Sequence, residues 1–561
     1  MSRPLFDRPF LSGSIVHTTK RRPSTGTVRP SNVYTPVTMV PPEPIRFLFI
    51  SSFVVDIRFV VDLLLHKATF CGDAGGQGHR LGGSKRKAIV LDSSDEEADE
   101  VSAGEATAAP PVPSWPDDDD DDHWVFMDDS QLVRRKNSRF SAQARAEPPG
   151  RYTVHKWPVV LALDQSSFDH DGAPLNRMLT LLVPGVVDPR TSKNVLISLR
   201  FVLLRGHPEH SRGCHHGKLW LAATDAGLRV SIGSQNALPG EFMHGNVAWF
   251  RDSPWASAGA KPEPFAVDLA EYLSRTTSLL DPVATLVRKA DFTGVQARLV
   301  YSIPGKAVTS PDRDVGGMWM LARQLKALRA SAPVAPHRYA RRPFAFMQSG
   351  SVGGVLNRHW MQNQLFRAFF GNTEAGRASA AALAAQLTGG APPPEDATTP
   401  RLALGFPSIQ QYASLALDPS FVQYALSFLH IDARTAGALQ SSVLHTPLTD
   451  DCPLFHAKVI VISDAASSTH FTYVGSHNLS QSAWGSQSKA AHGTCNVNNN
   501  EVGVVVGATN AFGGAEGDDL ETTQLPYILT PYKAGDQPLC RELIASTAPH
   551  LLGAQARRHK R

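Results

Sequence analysis

One pattern occurs twice in this chain: H-x-K, an apolar run, a turn, a second run, then G-S-x-N. No other feature constrains the fold as much. The first copy, HHGKLWLAATDAGLRVSIGSQN, carries His216, Lys218 and Asn236, and the second, HAKVIVISDAASSTHFTYVGSHN, carries His456, Lys458 and Asn478. His to Asn is 20 residues in one copy and 22 in the other, a difference that a longer hairpin turn absorbs. In an extended chain, side chains two positions apart share a face, so each His stands beside its Lys. A core strand has little reason to carry a lysine, because desolvating an unpaired ammonium is costly; the placement points to an anion bound there at least part of the time. Two strands joined by a turn return each Asn beside its own His and Lys. The Gly-Ser before it marks where the strand leaves the sheet for a tight turn, suited to a helix N-terminus that holds phosphate. One H-x-K on a strand carries almost no information, whereas two copies with the same sequel at matched distance are hard to assign to chance.

These residue types suit phosphodiester cleavage. One imidazole, neutral, attacks phosphorus while the other, protonated, donates to the leaving oxygen. Two lysines and two asparagines supply charge and hydrogen bonds to the equatorial oxygens, a role given elsewhere to magnesium. The expectation is chemistry with no metal and no other cofactor.

At 561 residues the chain exceeds what one hydrophobic core organises, so two folded domains and a tail are expected. The net charge of +4 neither requires nor excludes a nucleic-acid partner. The five cysteines are widely spread without C-x-x-C spacing, which argues against a disulfide framework or a zinc site and for a reducing compartment. Residues 1–146, rich in Pro, Ser and Arg and later in Gly and acidic runs, read as a mostly disordered regulatory tail. Within it, RFLFISSFVVDIRFVVDLLLHKATF (46–70) is apolar, but Asp56, Arg58 and Asp62 interrupt it short of a membrane span, and no membrane association is expected. The segment SKRKAIVLDSSDEEADE (84–100) resembles a minimal nuclear import signal followed by a strand-forming motif for ubiquitin-like modifiers. From 147 onward, continuous apolar runs such as NVLISLRFVLL and EVGVVVG alternate with helical patterns such as GMWMLARQLKALRA, an α/β class with sheets covered on both faces.

With these residues in place, the chain resembles the phospholipase D superfamily, whose signature is a duplicated H-x-K followed by Asn, and more closely its tyrosyl-DNA phosphodiesterase branch. The superfamily's Asp five residues after the Lys is absent here, where Ala223 and Ser463 stand, as is characteristic of that branch. Further matches are QSGSVGG (348–354), similar to the branch's serine-rich DNA-phosphate loop, SHNLSQSAWG, NNNEVGVVV with Glu501, and LPYILTPYKAGDQPL near the C-terminus. The resemblance implies two similar α/β/α phospholipase-D-like domains related by a pseudo-twofold, here 147–312 and 313–561, with one active site at their interface. It implies a monomeric enzyme that acts in the nucleus on single- or double-stranded DNA whose 3' end carries a topoisomerase-derived tyrosyl peptide or another blocking group. It assigns His216 as nucleophile, His456 as general acid and then base, Lys218, Lys458, Asn236 and Asn478 as phosphate holders, Glu501 as the residue orienting a catalytic histidine, and Ser351 as a DNA-backbone contact. Arg212 stands where the family has a base-stacking aromatic residue, Asn246 where a Gln supports the second histidine, and Gly354 where a second DNA-contacting Ser is expected. The aromatic-Asp-Trp segment usual upstream of the first motif is not found, and DHDGAPLNRMLTLLVPGVV occupies that region. Rival readings are another phosphodiesterase or nuclease of the superfamily, or a catalytically impaired DNA-end-binding protein.

Overall fold

The computed structural model describes residues 14–17, pieces of 39–63, residues 123–126, 152–164, 176–187, 194–204 and 213–238, and most of the chain from 241 to 548. Within that last span, 242–245, 309–315, 332–343, 354–356, 388–399, most of 415–428, 449–455, 464–469, 488–493 and 508–527 are not described.

Two large sheets carry the molecule. From edge to edge the first runs Ser14–His17, Val247–Pro254, Gly227–Gly233, Leu219–Ala223, Phe47–Ser52, Tyr152–Asp164, Asn194–Leu204, Asn176–Val187 and His123–Phe126. The second runs Arg298–Ser302, Glu501–Gly507, His470–Gly475, Val459–Ser463, Phe344–Gln348, Arg401–Gly405, Leu444–Leu448 and Ile528–Pro531. Position by position the eight strands of the second sheet match the first eight of the first. The sense of every pairing agrees too: four antiparallel neighbours, then two parallel, then one antiparallel. The duplicated motif is thus the visible part of a duplicated sheet, and the α/β reading holds.

Apolar runs without alternation become strands buried on both faces. In Val459–Ser463, Val459 and Val461 join a core shared with the first sheet, whereas Ile460 and Ile462 join the core under the helices Met318–Ser331 and Glu374–Leu387. The shared core also takes Leu219, Leu221, Val230 and Ile232 from the first sheet, and Phe265, Leu269 and Leu273 from the helix Pro264–Thr276. That helix starts with a proline at its first turn, where the missing N–H costs nothing. The faces that join the two halves are therefore apolar, and burying each large side chain there contributes about 1.5–3 kcal/mol.

The tail expectation is corrected at the apolar stretch near residue 50. Phe47–Ser52 is a fully buried strand in the middle of the first sheet, antiparallel to Leu219–Ala223 and parallel to Tyr152–Asp164. It occupies the position that Phe344–Gln348 holds in the second sheet, with Ser51 opposite Leu219 as Gln348 is opposite Val459. The apolar run that looked out of place is a central strand of the first sheet, and about a hundred intervening residues hid it from a reading that cut the tail at 146. Ser14–His17 and His123–Phe126 also lie in this sheet. The division at 312 moves as well, because Arg298–Ser302 is the edge strand of the second sheet. Residues 84–100 lie outside the described residues. No helix among the described residues is long and apolar enough to cross a membrane.

A chain beginning at residue 147 therefore lacks a central strand and leaves the facing edges of the strands on either side of it unpaired. Urea denaturation followed by circular dichroism should show no cooperative transition for it, against a sharp one for the full chain. In the full chain, Phe49→Ala should lower stability by about 3–5 kcal/mol.

Candidate active site

Each motif folds into the hairpin its spacing suggests. Leu219 pairs with Ile232 and Val459 with Val474, and the G-S-x-N glycine closes the hairpin on the motif lysine, Gly233 N donating to Lys218 O (3.2 Å) and Gly475 N to Lys458 O (3.3 Å). The serine that follows ties the hairpin to the next strand: Ser234 Oγ accepts from Val247 N (3.1 Å) and Ser476 Oγ from Val502 N (2.9 Å). Each Asn then turns back to meet a serine at the end of, or just past, the central strand of its sheet. Ser349 Oγ donates to Asn478 Oδ1 (3.1 Å) and accepts from Leu479 N (2.8 Å), while Ser52 Oγ lies 3.5 Å from Asn236 Oδ1 and accepts from Ala237 N (3.2 Å). The short helix Gln481–Trp484 follows Asn478; among the described residues no such helix follows Asn236.

The two motifs form one site because their histidines are held crosswise. His216, from the first half, meets Glu501 Oε2 of the second through Nδ1 at 2.8 Å. His456, from the second half, meets Glu241 Oε2 of the first through Nδ1 at 3.0 Å. In both rings the Nδ1 contact leaves Nε2 as the nitrogen for chemistry. The backbone is laced across the same seam, His216 N donating to Asn500 O (2.8 Å) and Asn500 N to Cys214 O (2.9 Å). Asn500 is fixed in turn by Tyr272 Oη, which donates to its Oδ1 at 2.6 Å. That tyrosine explains a difference between the copies: a Cβ on Gly217 would lie 2.4 Å from Tyr272 Oη, so glycine stands where the second motif has Ala457.

Both lysines are buried. Lys218 Nζ donates to His216 O (2.8 Å); Lys458 Nζ donates to His456 O (2.8 Å) and His456 Nε2 (2.7 Å), with Ser234 O at 3.4 Å. Burial lowers both ammonium groups, Lys218 to about 8, against the pull of Glu501 and Glu241. Burial likewise lowers the pKa of His216, opposed by Glu501, and takes His456 down to about 3 against the opposing pull of Glu241. Burial raises the two carboxyls, but their histidines and lysines outweigh it and bring Glu241 and Glu501 to about 2. The site therefore holds two ionised carboxylates beside two buried lysines, around histidines whose protonation burial opposes. Such a site can bind a phosphate, offer it a nucleophilic nitrogen and supply a proton opposite. Among the described residues there is no group of three or more His, Cys, Asp or Glu able to hold a metal ion.

The sequence-predicted residues His216, Lys218, Asn236, His456, Lys458, Asn478 and Glu501 come together here. Ser351 lies beside them, its backbone N donating to Asn478 Oδ1 at 3.0 Å. Arg212 is outside the described residues. Asn246, read as standing where a Gln supports the second histidine, is fully buried behind Glu241 and hydrogen-bonds that residue instead. Sequence reasoning missed Glu241, whose signal was a carboxylate five residues after the first motif Asn, in GEFMHGN. It also missed Phe53, whose ring lies 5.7 Å from that of His216.

Comparison with known proteins agrees with this fold. Residues 200–538 match the family model described as tyrosyl-DNA phosphodiesterase. A probable tyrosyl-DNA phosphodiesterase of Caenorhabditis elegans is 26% identical over 165 residues, which cover 28% of this chain and 36% of that protein. The match thus spans about a third of the curated relative's length. The crystal structure of the yeast tyrosyl-DNA phosphodiesterase superposes with a TM-score of 0.52 at 14% identity over 94% of this chain and 100% of that chain, which shows a shared fold.

The buried charges make stability depend on pH. Glu241 and Glu501 have folded pKa values of about 2 against 4.5 unfolded, so their contribution is present above 4.5 and lost as pH falls toward 2. His456, at about 3 against 6.5, has the same sign, because below 6.5 the unfolded chain binds its proton first. Urea midpoints should fall steadily from pH 7 toward pH 3, and Glu501→Gln should flatten the part below 4.5; a profile level across that range would contradict these shifts.

Proposed function

The chain belongs to the tyrosyl-DNA phosphodiesterase family, and from this we propose that it hydrolyses the phosphodiester joining a tyrosyl or other blocking group to a DNA 3' end. The observation that supports the reading best is the crosswise pairing of two H-x-K histidines with two buried glutamates through Nδ1, which leaves both Nε2 atoms off the carboxylates.

His216 Nε2 attacks phosphorus and forms a P–N bond as the P–O bond to the leaving tyrosyl oxygen breaks. His456 gives that oxygen the proton from its Nε2. Water then attacks the phosphohistidine, His456 takes the water's proton, and the P–N electron pair returns to His216, leaving a 3' phosphate. Lys218, Lys458, Asn236 and Asn478 hold the equatorial oxygens, which carry more charge in the transition state than in the substrate. Ser351, at the end of the serine loop beside Asn478, contacts the DNA backbone. That His216 attacks and His456 protonates rests on the family resemblance, since the pseudo-twofold alone does not choose between them. The nuclear location and the binding of a ubiquitin-like modifier rest on residues 84–100 of the sequence.

A 3'-phosphotyrosyl oligonucleotide should be cleaved in the presence of a chelator. His216→Ala should lose activity by about a hundredfold or more. His456→Ala should accumulate a protein–DNA adduct through His216 that survives denaturation and is labile to acid. The rate–pH curve should be bell-shaped, because one imidazole must be neutral and the other protonated. Turnover of phosphatidylcholine alone, or unchanged activity in His216→Ala, would overturn the reading.

A further inference from the structure

The registers place Asn246 and Glu501 at the same point of the two sheets. Gly233 pairs with Ala248 and Gly475 with Gly503; Asn246 and Glu501 each lie two residues before that partner. Glu501 reaches the opposite histidine directly. Asn246 does not: its Nδ2 donates to Glu241 O (2.8 Å) and Glu241 Oε2 (3.0 Å), and its Oδ1 accepts from Ser234 Oγ (2.8 Å). Glu241 fills the space between Asn246 and His456, fully buried, with Oε1 accepting from Asn236 Nδ2 (3.1 Å) and Oε2 from His456 Nδ1 (3.0 Å). The hydrogen bonds to this carboxylate come from Asn236, Asn246 and His456.

We infer that Glu241 is the positioning residue of His456, a carboxylate presented by Asn236 and Asn246 that fixes the ring's tautomer and favours its charged form, in place of the glutamine the family resemblance leads one to expect. The inference rests on the proposed reaction for its consequence in catalysis, and on geometry for the coupling itself. An ionised carboxylate only accepts. Glu241 therefore holds His456 with its proton on Nδ1, which leaves the Nε2 lone pair facing Lys458 Nζ, 2.7 Å away. A phosphate entering the site draws Lys458 Nζ to its own oxygens and leaves Nε2 to take up a proton. The charged groups that act on His456 include Glu241, Lys458 and, from the other motif, Lys218. With a phosphodiester bound and both lysines charged against it, the two carboxylates and two ammonium groups cancel, so one proton on His456 balances the single charge of the phosphodiester. A neutral amide in place of Glu241 would leave that sum one unit positive before the proton arrives and make protonation harder.

The test uses the full chain with 15N-labelled histidine, and Glu241→Gln, Glu241→Ala and the double variant Glu241→Ala/Asn246→Gln. The isosteric Glu241→Gln keeps the packing. In the wild type with saturating inorganic phosphate, the His456 imidazole should titrate at least about one pH unit higher than in Glu241→Gln. Without phosphate at pH 7, its Nδ1–H tautomer should dominate and weaken in Glu241→Ala. With 3'-phosphotyrosyl oligonucleotide, the alkaline limb of kcat/KM should move to lower pH in Glu241→Gln. The double variant should recover about tenfold of the loss in Glu241→Ala, retaining the shifted limb. Identical His456 titration and tautomer in wild type and both single variants would overturn the inference. A wild type that shows the coupling but does not cleave the oligonucleotide would instead leave Glu241 in place and overturn the proposed function.

Discussion

Two buried hydrogen bonds, each running from an imidazole of one half to a carboxylate of the other, are what the rest of the structure serves. Glu241 and Glu501 have no exposed surface, and Lys218 and Lys458 are almost as deeply buried. Charges placed there cost several kcal/mol each in lost hydration, and mutual pairing offsets this only when both partners are present. Removing one partner of such a pair costs about 3–5 kcal/mol, because the other is left uncompensated. The interface between the halves is thus held by apolar side chains but registered by polar ones. Val459, Val461, Leu219 and Leu221 supply the driving force for the sheets to meet, and the crossed pairs allow one alignment.

The scaffold is symmetric and the chemistry on it is not. Ser52 and Ser349 play the same part toward Asn236 and Asn478, and Ser234 and Ser476 toward the strands beside them. At other equivalent points the halves diverge. Gly217 faces Tyr272 where Ala457 has room for a methyl group, and Phe53 stands against His216 where the serine loop has Gly350. Asn246 supports a second residue where Glu501 acts itself. Those departures are the physical means by which one histidine can be given a different task from the other.

How much of this the sequence carries depends on how local each signal is. The two hairpins, their Asn returns and the buried lysines were legible, because period-two alternation and a fixed spacing determine them within about two dozen residues. Glu501 was legible through the resemblance. The strand at Phe47–Ser52 was not: its partners Val159–Leu163 and Leu219–Ala223 lie more than a hundred residues away, and composition on both sides reads as tail. Glu241 was missed for a related reason. Its role appears only when a loop of the first sheet meets a histidine of the second, 215 residues later. Asn246, at the expected sheet position, drew the assignment that belongs to the residue it holds.

The most direct test of the central claim is a crystal structure of the full chain with orthovanadate, a mimic of five-coordinate phosphorus. The account predicts one vanadium lying between Nε2 of His216 and Nε2 of His456, with the equatorial oxygens on Lys218, Lys458, Asn236 and Asn478 and each Nδ1 still on the glutamate of the opposite half. An anion bound by one motif alone, with the two rings too far apart to flank it, would contradict it.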